Sequence, residues 1–374
     1  MLDFINYFLN GLSLGCIYAL IAVGYTMVYG IIKLINFAHG EFYMFGAFVG
    51  YFVLIALGGE ANGPDLGYVA LLGAMIFAGL GTGVLALLVE RVVYRPLRKS
   101  GRIVALLAAL GVSLFLQNSG QQTVGAKDRP FVHTITSQRY PRWEVKPEQV
   151  CAGAKADHDI AIVYTRAVEG GRQTLVENIA TRGNAIDGLM CHRMNDILDR
   201  ARQEQADATV YAYPAITVSN AQGLILLALL LTTLSLYVLV QHTRFGRAMR
   251  AVSHDFEAAA LMGINVDYIV AGTFFIGAVV AGMGGTLAGG MYYNQIFPLM
   301  GLMPGLKAFV AAVFGGIGSI PGALLGGVLL GIFEKLVEAY VSSLYSDAFT
   351  FSILIIVLLW RPSGLLGRPG TDKV

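Results

Sequence analysis

Long apolar runs alternate with short charged stretches along this chain. The runs occupy 9–32, 37–57, 68–90, 103–120, 221–241, 268–290, an interrupted stretch 303–340, and 348–360. Most approach the roughly 20 residues that cross a hydrocarbon core about 30 Å thick. Packing so many long uncharged helices inside one soluble domain is not a workable alternative. The pattern predicts an all-α polytopic membrane protein with about eight transmembrane helices. The first run has no basic segment before it and no small-residue cleavage site after it, so it reads as a retained span.

Charge position then orients the runs. Basic clusters occur at Lys33, at Arg91, Arg95, Arg98, Lys99 and Arg102, at Arg244, Arg247 and Arg250, and at Arg361, Arg368 and Lys373. The connections 58–67, 291–301 and 341–347 contain no Lys or Arg. Basic loops stay in the cytoplasm. Placing every cluster inside gives an alternation without conflict up to residue 290, with the N-terminus outside and the C-terminus inside.

Residues 291 and 347 both fall outside in that scheme, so 303–340 must enter and return. It contains "VFGGIGSIPGALLGG", whose Gly and Pro break a helix. Such backbone is tolerated at membrane depth only where protein or a water-filled cavity covers it. A broken or re-entrant hairpin is expected, with Gly315, Gly316, Gly318 and Pro321 near its tip; a plain turn between two thin spans is the alternative. Lys307, Glu334 and Lys335 fall in this stretch. They are either functional intramembrane charges or interfacial groups that snorkel.

Composition sharpens the picture. Apolar residues make up 56% and charged residues 13% of 374, with a net charge of +2. Mean hydropathy is +0.64. The 46 glycines suit close helix approach in lipid. Residues 127–213 differ sharply: 24 of the chain's 50 charged residues lie in these 87 positions. Long loops translocate whatever their charge, so this segment reads as extracytoplasmic. "DIAIVY" (159–164) and "ATVYAY" (208–213) predict short strands. Ile186, Leu189, Met190, Met194, Ile197, Leu198 and Ala201 form one helical stripe opposite Arg193, Asp196, Asp199, Arg200 and Arg202. The expectation is a small α/β insertion between two membrane parts, 1–126 and 214–374, the second carrying a cytoplasmic loop at 242–267.

Cys151 and Cys191 lie in the insertion, where an oxidising exterior permits a disulfide or leaves two free thiols. Cys16 in the first run reads as a packed apolar residue. Cys191 and His192 are adjacent, but His133 and His158 are remote in sequence, and no metal site is expected. Between the first two runs, "NFAHGE" puts Asn36, His39 and Glu41 beside the bilayer, which is costly without a partner or a purpose. A local structural role, with His39 capping a helix or pairing with Glu41, stands beside a role in the pathway or its gate.

Inside the cytoplasmic loop lies "HDFEAAALMGIN". Ala-rich sequence forms helix readily. Asp255 and Glu257 would sit at its N-terminus, where negative charge suits the helix dipole. Gly263 would end it, and Asn265 would support the turn. The product is a short rigid helix across the cytoplasmic face, with Ala258 and Ala259 small enough to enter a groove on another protein. An ordinary amphipathic connector is the blander reading.

The spacing EAA-x3-G in a cytoplasmic loop resembles the coupling helix of ABC importer permeases. "NGLSLGCIYALIAVGYTMVYGIIKLINFAHGEFYMFGAF", "ERVVYRPLR", "ALGVSLFLQN", "KAFVAAVFGGIGSIPGALLGG" and "LIIVLLWRPSGLLGRP" together resemble the LivH-type permeases of branched-chain amino-acid transporters. That resemblance covers nearly all of the chain outside 127–213, a segment longer than the family's usual connection. It implies an inner-membrane subunit importing leucine, isoleucine and valine. Its partners would be a second, LivM-type permease, two ABC ATPase subunits and a periplasmic substrate-binding protein. Asp255, Glu257, Ala258, Ala259 and Gly263 would couple it to the ATPase. Related permeases for urea or short-chain amides are the nearest alternative cargo. The sequence holds no GxxxxGK[ST] phosphate loop. It is expected to hydrolyse no ATP itself, to need no cofactor and to bind no nucleic acid. A stand-alone channel or secondary transporter is the reading from another class, disfavoured by the lack of internal repeats. A sensor ranks last, since little chain follows the last run.

Overall fold

The computed structural model describes residues 2–33, 36–60, 65–98, 100–132, 134–135, 139–151, 159–168, 171–180, 186, 188–204, 206–213, 217–361 and 364–367. Lys99, His133, His158, Arg368 and Lys373 lie outside them. The first membrane part holds α1 (Leu2–Ile32), α2 (His39–Ala56), α3 (Gly67–Val89), a π-helical turn Glu90–Tyr94, α4 (Arg95–Leu97) and α5 (Arg102–Val124). The middle of the chain forms β1 (Arg129–Pro130), β2 (Arg139–Tyr140), β3 (Trp143–Glu144), α6 (Pro147–Cys151), β4 (Asp159–Val168), β5 (Gly171–Ala180), α7 (Gly188–Gln203), β6 (Asp207–Tyr213) and β7 (Val218–Ser219). The rest comprises α8 (Asn220–His242), α9 (Arg244–His254), α10 (Phe256–Leu261) and α11 (Val266–Ala288) with a π turn Gly289–Tyr293. After these come β8 (Gln295–Ile296), α12 (Leu302–Gly315), α13 (Ile320–Tyr340) and α14 (Ser346–Trp360).

Among the described residues, eight helices are long and apolar enough to cross a membrane, and α12 is a shorter apolar helix. They match the eight apolar runs. α1 is the axle of the bundle, with Cys16, Ile17, Ala19, Ile21 and Ala22 fully buried. Its closest neighbour is α13. A Cβ on Gly331 would fall 2.2 Å from the backbone nitrogen of Gly15. Glycine on both helices lets the backbones touch, which is how membrane helices gain dispersion contacts without help from water. Between α2 and α11, Gly46 and Gly282 meet in the same way at 2.2 Å. By contrast α3, α5, α8 and α14 expose Leu, Ile, Val and Phe outward, among them Phe77, Leu107, Leu231 and Leu359. These faces suit lipid or another apolar chain.

The bundle has two distinct ends. At one, which we call the basic end, Arg95 and Arg98 meet Asp267 at the start of α11, and α9 packs against α1, α8, α10 and α11. The hairpin of α12 and α13 turns here: Leu365 and Leu366, just beyond α14, donate their amides to the carbonyls of Phe314 and Gly315. Gly316 has φ of +112° in that turn, a conformation that a Cβ opposes.

At the opposite end, strands and loops close the bundle. β1 pairs with β8 and β2 with β7, all antiparallel. Beyond them stands a four-stranded antiparallel sheet of order β3-β6-β4-β5. The strands expected at 159–164 and 208–213 are β4 and β6, and they pair directly, Ile162 opposite Val210. The helical stripe is α7, with Met194, Ile197 and Ala201 buried while Arg193, Asp199, Arg200 and Arg202 face out. Val150, Ile160, Ile162, Ile179, Met194, Ile197 and Val210 make a small apolar core separate from that of the bundle. β5 was not foreseen. Its sequence GRQTLVENIA has no apolar–polar alternation, with Leu175 and Val176 adjacent and polar residues on both sides, so no strand period marks it.

Candidate functional site

The basic end carries a short helix with defined stops. Thr243 caps α9 by accepting from the amide of Gly246. Asp255 then breaks the run in extended conformation, and its carboxylate accepts from the amides of Glu257 (2.8 Å) and Ala258 (3.0 Å). α10 follows for six residues. Gly263 ends it with φ of +79°, and Asn265 caps α11 through the amide of Tyr268 at 3.1 Å. Ala259 is the buried anchor at 4% exposure, while Leu261 and Met262 stand 87% and 82% exposed. Asp255, Glu257, Ala258 and Gly263 also face outward. The segment is therefore a short capped helix with one small residue packed down and an apolar tip exposed.

Only Met262 to Asn265 separate α10 from α11. The first turn of α11 is tied sideways. Asp267 bonds Arg95 and Arg98, the latter at 2.7 Å. Arg98 also holds buried Glu90 at 2.8 Å, in the π turn after α3. In the sequence these arginines served only to orient spans. Their partners Glu90 and Asp267 lie eight residues before and 169 residues after Arg98, and only the second required the fold to find it.

Deeper in the bundle, α2 does not begin at the basic end. The ring of His39 lies against Gly24 and Gly277. Gly24 is eight residues before the end of α1, which puts it about 12 Å into the bundle. Gly40 meets the carbonyl of Gly301 and Cα of Gly305. Two helices, α2 and α12, thus start inside the bundle with their N-termini together. α12 is 14 residues long, about 21 Å, and runs from that meeting point to the basic end.

Asn36, His39 and Glu41 occupy this junction, all buried. Asn36 Oδ1 accepts from the amide of Ala38 and from Tyr94 Oη at 2.6 Å. Glu41 Oε1 accepts from Gln117 Nε2 (2.7 Å) and Ser113 Oγ (3.1 Å) of α5. The hydrogen-bonding partners of Glu41 are on α5, not His39. His39 instead lies beside Tyr25, ring centres 4.6 Å apart. Thr26 Oγ1, Asn36 Nδ2, His39 Nε2 and Glu41 Oε2 are buried without hydrogen-bond partners. Tyr25, Thr26, Tyr29, Phe309, Ala312 and Ile317 line a narrow cavity below it. Thr26 is shared with a wider one of about 110 Å³, which reaches Gly318 and Arg250 at the basic end. Gly315 and Pro321 stand at the hairpin turn with Gly316 and Gly318.

Lys307 is buried and paired. On the second turn of α12 it bonds Glu334 of α13 at 2.7 Å and Asp347 of α14 at 2.6 Å. Tyr18 Oη donates to Glu334 Oε2 at 3.0 Å. Sequence reading singled out the charges but could not pair residues 27 apart with a third on another helix. At the other end, Cys151 and Cys191 are joined as a disulfide with Cα atoms 5.9 Å apart, and Cys16 is free and buried. Among the described residues no three His, Cys, Asp or Glu gather as a metal site.

Residues 7–148 and 179–358 match the family described as "Branched-chain amino acid transport system / permease component". The stretch between those matches, 149–178, holds Cys151 and β4. The chain is similar to the high-affinity branched-chain amino acid transport system permease protein LivH of Escherichia coli K12, with 37% identity over all of this chain and 98% of that one. It is similar to BraD of Pseudomonas aeruginosa, a permease of the same description, at 35% identity over 99% and 98%. A shorter similarity, 28% over 36% of this chain and 40% of the other, links it to the fructose import permease FrcC of Rhizobium meliloti. No solved structure matches the chain.

Proposed function

The chain belongs to the family of branched-chain amino acid transport permeases, and on that premise we propose that it is one of two membrane subunits of an ATP-driven importer for leucine, isoleucine and valine. The observation that carries the coupling is α10: a helix capped by Asp255, ended by Gly263 and exposing Leu261 and Met262 at the basic end. A free-standing channel has no use for such a lever. The full-length similarity to amino-acid permeases outweighs the partial one to a fructose permease as a guide to cargo.

In this reading the basic end is cytoplasmic, and the sheet with 127–213 is extracytoplasmic. One of two ABC ATPase subunits seats on α10 and the other on the second, LivM-type permease, which covers exposed apolar helices, and a periplasmic binding protein docks at the sheet end. ATP is hydrolysed on the partners. Closure of the ATPases displaces α10. The capped junction at Asn265 passes the motion to α11, and the Asp267–Arg98–Glu90 bridge shares it with α3. The two helix starts at Gly40 and Gly301 lie between the cavities of either side, so Asn36, His39 and Glu41 form the gate region, with the Gly315–Pro321 turn as its inner lip. Purifying the tagged chain in mild detergent and identifying what accompanies it tests the assembly. Recovery of a second permease and ATPase subunits is expected; a chain that emerges intact and alone removes the partner for α10.

A further inference from the structure

At the sheet-bearing end the bundle opens into a cavity of about 490 Å³ between the start of α1 and the end of α13. Tyr7, Asn10, Tyr292, Lys335 and Glu338 line it, with Ala339 and Ser343 at the edge. A second polar cavity of about 400 Å³ shares Asn10 and runs beneath the sheet past Arg139 and Gln222. The first is within the size range of small-ligand sites.

Its walls combine three chemistries. Lys335 and Glu338 lie one turn apart on α13 and bond each other, with side chains 24% and 30% exposed. A solvent-accessible pair of this kind holds itself together weakly, so each charge is available to another partner at little cost. Asn10 and Ser343 add neutral donors and acceptors. Tyr7 and Tyr292 supply apolar faces held in place by Tyr340 and Tyr293, at 6.1 and 5.0 Å between ring centres. Behind this wall Glu334 is already committed to Lys307 and Tyr18, so it does not compete for a cation in the cavity.

Resting on the reading that amino acids are the cargo, we propose that this cavity receives the zwitterionic head of an α-amino acid. Lys335 takes the carboxylate, Glu338 takes the ammonium, and the tyrosines flank the aliphatic side chain. The opposite charges stand side by side on one helix face, as they do around the Cα of the ligand. A singly charged molecule would draw one of them out of the pair and leave the other unmatched, and an uncharged one would leave the pair closed on itself.

Ala339→Cys tests this in the assembled transporter. The native cysteines give no background, since Cys16 is buried and the other two are joined. The rate of reaction with N-ethylmaleimide reports access to the cavity. Leucine should slow labelling, whereas leucinamide, lacking the carboxylate, and 4-methylpentanoate, lacking the ammonium, should not. Adding Lys335→Met should raise the half-protecting leucine concentration about tenfold or more, the loss of one charge-assisted hydrogen bond. Equal protection by all three compounds overturns the proposal. So does no protection by leucine in a preparation that takes up leucine with its binding protein. Blocking by the binding protein alone, without leucine, overturns it too and marks a docking face. A preparation that takes up no leucine at all refutes the functional reading itself, and this inference falls with it.

Discussion

In the proposed coupling Gly263 acts through its backbone conformation rather than through packing. A Cβ there would meet no atom within 4 Å, yet φ is +79°. The constraint is conformational: an ordinary L-residue in the left-handed region costs about 1–2 kcal/mol, while Asn tolerates it better. Gly263→Val should leave the chain inserted and partnered but abolish uptake, and Gly263→Asn should keep most of it. Transport assays with matched expression decide the matter; full uptake by the valine variant would remove Gly263 from the coupling path. Lys307 is the opposite case, a residue defined by its partners. Lys307→Met strands Glu334 in the bundle, and breaking a buried pair from one side costs about 3–5 kcal/mol. Thermal unfolding in detergent should show a clear drop. The double variant Lys307→Met with Glu334→Gln should recover part of it.

α2 and α12 start inside the bundle, and α10 stands at its basic end. The Asp267–Arg98–Glu90 bridge ties α11 to the end of α3. Arg98→Ala should loosen that tie. Uptake is expected to fall by more than ATP hydrolysis does, because motion of α10 is shared less fully. A parallel fall in both would mean that the bridge merely holds the fold. The apolar runs made the helices legible, and "HDFEAAALMGIN" displayed both of its stops, because caps and glycine ends are local chemistry. The two π turns and the buried start of α2 were not legible. The start of α2 depends on where Gly24, Gly277 and Gly301 from three other segments lie.

As a whole the molecule is a bundle with a sheet-bearing unit at one end. The insertion keeps its own core, and the β2–β7 pair ties its two ends together with Tyr140 opposite Val218. Replacing 141–216 by a short Gly-rich turn should therefore spare the bundle. Recovery of the ATPase subunits with the shortened chain is expected to persist. Stimulation of ATP hydrolysis by the binding protein should drop if the sheet forms part of its docking face, and undiminished stimulation would exclude that role. From the sequence alone came the number of spans, the alternating basic loops, the short capped helix and the foreign composition of 127–213. Each depends on neighbours in the chain: apolar length, local charge and the conformational habits of Asp, Ala, Asn and Gly. The packed structure decided the rest. It set the meeting of Gly40 with Gly301, the commitment of Glu41 to α5 and the Lys307–Glu334–Asp347 cluster. It also set the cavity that Lys335 shares with Tyr7. Those depend on which helix faces stack, and small residues distant in sequence settle that by how closely they let two backbones approach.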